Sequence, residues 1–252
     1  MSPIPSKVPT RDGVFFERLY LPLQRHRLSG RLIVFEGADG SGKTTLVKAA
    51  LDFAQTLGRR AVEVQALDDF VRFSPMMRKY AQHPADPQTT VDILALSLTC
   101  AGSRLQNTRS TVLSELALGS WVFCDRYVFT TWAEFVNLRG ICPDGEVLRE
   151  VLSLFPMPDL AFLAFAHAET CISRVRGRPE EVGKVFDVDY NRRLIATYRA
   201  VGAAQGFTEL STQDRSRREC EDLIADALVG MTHTGPRNAG EPPPTSRRAS
   251  RQ

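Results

Sequence analysis

Eight consecutive residues, Gly37-Ala38-Asp39-Gly40-Ser41-Gly42-Lys43-Thr44, fit the pattern G-x-x-x-x-G-K-[ST], and a second hydroxyl residue, Thr45, follows. Glycines at these places let a backbone curl until successive N–H groups face one anion. A helix starting at the end of the loop adds a partial positive charge at the same spot. Lys43 can reach the β- and γ-phosphates of a nucleoside triphosphate, and the Thr44 hydroxyl can ligate Mg²⁺. These residue types at this spacing point to a phosphate-binding loop.

A second group lies far along the chain. The apolar run Trp121-Val122-Phe123-Cys124 leads into Asp125-Arg126-Tyr127. An Asp at the end of an apolar strand can approach the Mg²⁺ of the loop if the two strands are neighbours. Arg126 would then stand at the sheet edge where ligands bind, and its planar guanidinium suits bidentate contact with a second phosphate. An Asp-Arg ion pair at a strand end is the plainer alternative. A third group, Arg174, Arg176 and Arg178, precedes Pro179-Glu180-Glu181. Gly177 and Pro179 break a helix there and suggest a short arginine-rich lid. Such arginines can close over phosphates during phosphoryl transfer, or they form a solvated basic face.

The elements that must position these groups follow from periodicity. Strands are expected at Arg31–Glu36, Ala61–Ala66, Trp121–Cys124, Leu160–Phe165 and Gly206–Leu210. Helices are expected at Thr44–Leu57, over a long stretch near 73–118, and near 128–138, 145–154, 168–176, 187–203 and 215–229. Short apolar strands alternating with helices argue for a parallel α/β sheet covered on both faces.

Length and charge bound the rest. The 252 residues suffice for one α/β domain with additions. The net charge of +3 is unevenly spread. Residues 1–29 hold five basic and two acidic side chains, residues 231–252 hold four Arg and one Glu, and the body is slightly acidic. A global nucleic-acid footprint is therefore not expected. No apolar run is long enough for a transmembrane helix, so no membrane partner is expected. Residues 1–29 read as an N-terminal extension with a short helix near Phe15–Leu21, and neither a secretory signal nor a transit peptide is evident. Residues 30–230 read as the α/β domain that carries the phosphate-binding loop, and 231–252 as a disordered tail. In the tail, Arg247-Arg248-Ala249-Ser250 resembles a basophilic kinase site. Five widely spaced cysteines show no C-x-x-C pair, which fits a reducing, cytoplasmic setting. The four histidines lack metal-ligand spacing, and no Asn-Lys-x-Asp guanine motif is present.

Taken together, these stretches resemble the thymidylate kinase family of nucleoside monophosphate kinases. The resemblance covers roughly Arg31 to Leu228. It rests on FEGADGSGKTT (35–45), ALGSWVFCDRYVFTTWA (117–133), LRGI (138–141), PDLAFL (158–163), ETCISRVRGR (169–178) and YNRRLIATY (190–198). It implies a three-layer α/β/α P-loop NTPase fold with a five-stranded parallel sheet, and transfer of the γ-phosphoryl of ATP, with Mg²⁺, to a nucleoside monophosphate, usually dTMP. By this resemblance, residues 37–45 bind ATP, and Thr44 and Asp125 serve the metal. Asp39 contacts the acceptor sugar, and Arg126, Tyr127, Arg104 and Arg72 belong to the acceptor site. Lys43, Arg126 and the lid arginines 174, 176 and 178 serve catalysis. A homodimer formed through helices of the central region is also implied.

Three departures fall on the acceptor side. The family's Arg-Glu-Pro-Gly-Gly or Phe-Pro loop is Leu67-Asp68-Asp69-Phe70-Val71-Arg72-Phe73-Ser74 here. The Phe that commonly stacks on thymine is Cys100, and a sulfur cannot reproduce an aromatic face. The family's Ala-Tyr-Gln is Ala133-Glu134-Phe135. Phe70, Phe73 and Phe135 are candidates to restore stacking. Two alternatives therefore stand beside dTMP phosphorylation. One is a kinase of a nucleoside or atypical nucleotide; the other is a non-catalytic nucleotide-binding regulator.

Overall fold

A computed structural model of the chain describes residues 17–65, 67, 69–82, 84, 91–178 and 186–232. Residues 1–16, the tail from 233 with its Arg247–Ser250 motif, and the lid stretch 179–185 lie outside the described residues.

Among the described residues there are seven strands: β1 (Gln24–Arg25), β2 (Arg31–Glu36), β3 (Ala61–Gln65), β4 (Trp121–Asp125), β5 (Pro156–Met157), β6 (Leu160–Phe165) and β7 (Thr208–Ser211). The helices are α1 (Lys43–Thr56), α2 (Asp69–Arg72), α3 (Pro75–Gln82), α4 (Ile93–Asn107), α5 (Leu113–Ala117), α6 (Val128–Arg139), α7 (Pro143–Leu152), α8 (Ala168–Arg176), α9 (Val188–Gln205) and α10 (Arg217–Thr232). Five strands form one parallel sheet in the order β3-β4-β2-β6-β7. This is the five-stranded α/β architecture expected from the alternation of strands and helices. The phosphate-loop strand β2 sits at the centre, with β4 hydrogen-bonded beside it.

The central strands β2, β4 and β6 are largely apolar because both faces of the sheet are covered there. Leu32 and Val34 of β2, with Val122 and Cys124 of β4, point into a core shared with α6 and α9. Ile33 and Phe35, with Trp121 and Phe123, point into a second core. There they meet Leu46, Val47, Ala50 and Ala54 of α1 and Ile224 and Leu228 of α10. The period-2 alternation thus distributes one strand between two layers.

The long helical stretch of the sequence is broken where polar chemistry interrupts it. Asp92 caps α4 by accepting a hydrogen bond from Ala95 N at 2.7 Å. A π-helical turn, Thr108–Val112, joins α4 to α5.

The segment before β2 is part of the packed body from residue 17 onward. Leu19 and Leu21 are wholly buried and Leu23 nearly so. Residues 17–19 are helical, in keeping with the short helix expected near Phe15–Leu21, and from Tyr20 the chain runs on as a strap that turns Leu21 and Leu23 inward. Trp132 Nε1 donates to Leu19 O (2.9 Å), and Arg149 Nε donates to Tyr20 O (2.9 Å). The strap then pairs through β1 with β5. At its end, His26 Nε2 lies 3.0 Å from Asp159, which also accepts from Leu32 N at 2.9 Å. The sequence-based reading of this segment as an extension did not register the Leu19-Leu21-Leu23 alternation.

Candidate active site

The site lies at the carboxyl ends of β2 and β4, where parallel α/β sheets bind ligands. Phe35 of β2 and Asp125 of β4 are partners in the ladder. This register brings the phosphate loop and the Asp-Arg pair to one edge. The loop's glycines are required by contact as well as by conformation. Gly37 has φ 138°, and a Cβ there would lie 2.1 Å from Ala164 O. Gly40 has φ 81°, and a Cβ there would lie 2.2 Å from Cys171 O. Only a residue without a side chain fits either place. The loop then enters α1, with Gly42 at its N-cap.

Lys43 is buried and donates to Ala38 O at 2.8 Å, across its own loop. Burial pulls its ammonium down to about 8, and the nearby Arg126 charge adds to that. Thr44 Oγ1 donates to Asp125 Oδ2 at 2.6 Å. The sequence-derived pairing of these two residues is therefore met in space. Two hard oxygens side by side at the loop suit Mg²⁺, which takes few protein ligands and keeps water and phosphate oxygens. Among the described residues, no group of three or more His, Cys, Asp or Glu side chains is arranged to hold a metal.

Arg126 is the pivot. It has φ 72°, a left-handed conformation unusual for a residue with a side chain. Its N–H donates to Phe35 O at 2.9 Å. Its guanidinium pairs with Asp39 of the loop and donates to Tyr198 OH (3.0 Å) and Thr130 Oγ1 (3.3 Å). Beneath it lies Glu36, fully buried at the end of β2. Glu36 accepts from Tyr127 N (2.7 Å), Thr130 N (3.3 Å) and Thr130 Oγ1 (2.5 Å). Its carboxyl thus holds the start of α6, the turn that aims Arg126. Burial pushes Glu36 up to about 7, although the Thr130 hydroxyl, Arg126 and Tyr127 N–H all work against that shift.

The remaining sequence candidates occupy distinct places. Arg104 is buried on α4 and donates to Thr131 Oγ1 at 2.8 Å; its Nε has no partner among the described residues. Tyr127 is turned into the core, where its hydroxyl donates to Pro156 O at 3.0 Å. Arg174 joins the loop from α8, donating to Gly40 O (3.2 Å), Thr212 Oγ1 (3.0 Å) and Thr212 O (3.1 Å). Arg176 is exposed and lies over the Phe186 ring at 5.8 Å, and Arg178 is exposed. Arg72 is exposed and stacks on the exposed Phe73 at 5.4 Å, so neither is drawn into the cluster around Arg126. The Phe70 side chain lies outside what the structure describes.

Beside Arg104, a narrow cavity opens between α3, α4 and α6. Tyr80, Ser97, Cys100, Thr131, Glu134 and Phe135 are among its lining residues. Phe135 is fully buried and stacks on Trp132 at 6.1 Å. Tyr80 OH lies 3.2 Å from Tyr190 OH. Sequence reasoning gave no role to Glu36, Thr130, Thr131, Tyr198 or Thr212. Glu36 had a readable signal: it continues the Leu32-Val34 face of β2, so a carboxyl was bound for the interior.

Comparison with known proteins agrees with this geometry. The thymidylate kinase family model matches residues 35–222. The chain is 27% identical to a probable thymidylate kinase of Pyrococcus horikoshii, over 82% of this chain and 98% of the relative. It is 28% identical to a thymidylate kinase of Chromobacterium violaceum, over 80% and 93%. It is 31% identical to a thymidylate kinase of Chromohalobacter salexigens, over 75% and 89%. The match includes the phosphate loop, strand β4 and the Asp125-Arg126 pair. The chain belongs to the thymidylate kinase family and is a phosphotransferase of the nucleoside monophosphate kinase class.

Proposed function

We propose that this kinase transfers the γ-phosphoryl group of ATP to dTMP, forming dTDP and ADP, with the residues named above in the following roles. The observation that carries the reading is the ion pair between Arg126 and Asp39, one end of which belongs to the phosphate loop. It joins a triphosphate cradle to a second anion-binding guanidinium. Two anionic substrates can then meet end to end, as in-line transfer requires.

Residues 37–45 hold the ATP phosphates through backbone N–H groups, the α1 N-terminus and Lys43. Thr44 and Asp125 would hold Mg²⁺, which when bound neutralises charge on the β- and γ-phosphates. Arg126 holds the acceptor phosphate, and Glu36, Thr130 and Tyr198 keep it aimed. Arg104, with Thr131, faces the base end of the acceptor. Arg174 ties α8 to the loop, and Arg176 and Arg178 serve the phosphates from the end of α8 and just beyond it. Catalysis is positioning and charge neutralisation without a covalent enzyme intermediate. Nucleotides are the partners in this reading. It also includes a cytoplasmic setting, in keeping with five free cysteines, four of them buried, and a homodimer, to be measured by analytical ultracentrifugation. Among the described residues, no helix is long and apolar enough to cross a membrane.

The two alternatives, a different acceptor and a non-catalytic regulator, are less well supported. The family match and the joined set of Lys43, Thr44 and Asp125 speak for catalysis on a nucleotide. A coupled ADP-release assay over nucleosides and nucleoside monophosphates tests the reading. We expect dTMP to give the highest kcat/KM. A nucleoside that outpaces dTMP removes the acceptor assignment, and ATP hydrolysis without acceptor dependence removes the kinase assignment.

A further inference from the structure

Helix α6 stands between two arginines of the site and the strap that precedes β2. Three consecutive residues divide its contacts. Thr130 Oγ1 accepts from Arg126 at 3.3 Å, Thr131 Oγ1 accepts from Arg104 at 2.8 Å, and Trp132 Nε1 donates to Leu19 O at 2.9 Å. Apart from Glu134, every residue from Val128 to Val136 is buried. A helix buried on all sides needs cover on its outer face as well as its inner one. Leu19, Leu21 and Leu23 belong to the same core as Tyr127, Phe129 and Trp132.

The strap also reaches the Arg126 turn by a second route. β1 pairs with β5, and Gln24 N donates to Phe155 O at 3.3 Å. The Phe155 ring packs edge-on against Tyr127 at 5.7 Å, and Pro156 O accepts from the Tyr127 hydroxyl at 3.0 Å. Arg126 is thus bracketed: Tyr127 is tied to the strap through β5, and Trp132 is tied to it directly. Arg149 Nε donates to Tyr20 O at 2.9 Å and Gln205 Nε2 to Leu21 O at 3.4 Å, which hold the strap down. Arg126 itself has φ 72°. A residue with a side chain persists in that region only where its surroundings over-determine it. Glu36 constrains the turn from the sheet side; the strap constrains it from the outer side. The phosphate loop is held from elsewhere, by Arg174 of α8 and by Thr212, whose hydroxyl donates to Ser41 O at 2.9 Å.

Resting on the reading of Arg126 as the acceptor-phosphate ligand, we propose that residues 19–25 are a positioning element of the acceptor site. Docked on α6 and β5, they hold the turn that aims Arg126 and keep Thr130 and Thr131 set against the two arginines. This element lies before the first residue that the family model matches.

The test uses the full chain and reads the KM for dTMP against the KM for ATP. Leu21→Ala removes a buried anchor of the strap and should raise the KM for dTMP about tenfold, as misplacement of a binding group does. Leu21→Met refills the space and should restore the wild-type value. Trp132→Phe keeps an aromatic ring but loses the N–H, and should raise the KM for dTMP about fivefold, the scale of one hydrogen bond. The KM for ATP should stay constant in all three. Ile224→Ala, in the core under α1, loses stability without touching the strap and should leave both KM values unchanged. If Leu21→Ala fails to fold by circular dichroism, Arg149→Met, which cuts a partly exposed tie, supplies the reading with a rise of about threefold. Coupling between two sites is reciprocal, so saturating dTMP should slow amide hydrogen exchange at residues 19–25 of the wild type more than a non-hydrolysable ATP analogue does. Equal rises in both KM values, no rise for dTMP in any strap variant, the same split in Ile224→Ala, or strap exchange indifferent to dTMP overturns the proposal. Wild type without dTMP-dependent ADP release defeats the acceptor-site reading itself, a separate failure.

Discussion

The proposed donor half and the proposed acceptor half of this site are built differently. On the donor side, the working groups come from one continuous segment, residues 37–45, and from the strand beside it. Their positions follow from backbone: glycines with positive φ, the α1 N-terminus, and a ladder partner that brings Asp125 to Thr44. On the acceptor side, the walls come from α3, α4 and α6, and the chemistry sits on side chains such as Cys100, Arg104 and Glu134. Triphosphate recognition by backbone tolerates little change, whereas a pocket lined by side chains can be rewritten residue by residue. The departures from the family fall on that second half.

Substitutions can break or sharpen this contrast. The largest effect is expected at Lys43. Lys43→Ala should lower kcat by about 10³-fold or more, while circular dichroism and the thermal midpoint report an intact fold. Substantial activity in a folded Lys43→Ala protein would refute its role on the donor side. Next is Arg126→Ala, at the junction of the halves. It should raise the KM for dTMP and lower kcat, together about 10²-fold in kcat/KM, with the KM for ATP nearly constant. An unchanged KM for dTMP removes Arg126 from the acceptor site.

Glu36 yields a pH test. Its carboxyl is raised to about 7 in the folded protein from an ordinary value of 4.5. The folded state therefore holds a proton that the unfolded chain has lost between those values. The associated stability is fully present below about pH 4.5 and is lost as pH rises through 7, on the order of 3 kcal/mol at most. Urea midpoints at pH 5 and pH 8 should differ less in Glu36→Gln than in wild type. Parallel curves would mean that Glu36 is not held in this way. The smallest effect is expected from Tyr198→Phe, which removes one contact to Arg126. A few-fold rise in the KM for dTMP is predicted, with no change for ATP; a rise for ATP alone would place Tyr198 on the other half.

Much of the donor half was legible in the sequence because its determinants are local. A glycine-lysine-threonine pattern, an apolar strand and an Asp at a strand end can each be read in a few residues. The parallel sheet was legible for the same reason, to within a residue or two at most strand ends. What escaped depends on distant partners. Leu19, Leu21 and Leu23 form a buried strap only because Trp132, Arg149 and β5 receive them. Tyr198 meets Arg126 across 72 positions. Glu134 was visible as a departure, but its place in the lining of the cavity between α3, α4 and α6 needed the fold.

The most direct test of the central claim follows the phosphoryl group itself. Purified protein is incubated with Mg²⁺, γ-³²P-labelled ATP and dTMP, and the products are separated. The account predicts labelled dTDP, formed only when dTMP is present and abolished in Lys43→Ala. Label released only as inorganic phosphate, at a rate indifferent to dTMP, would contradict it.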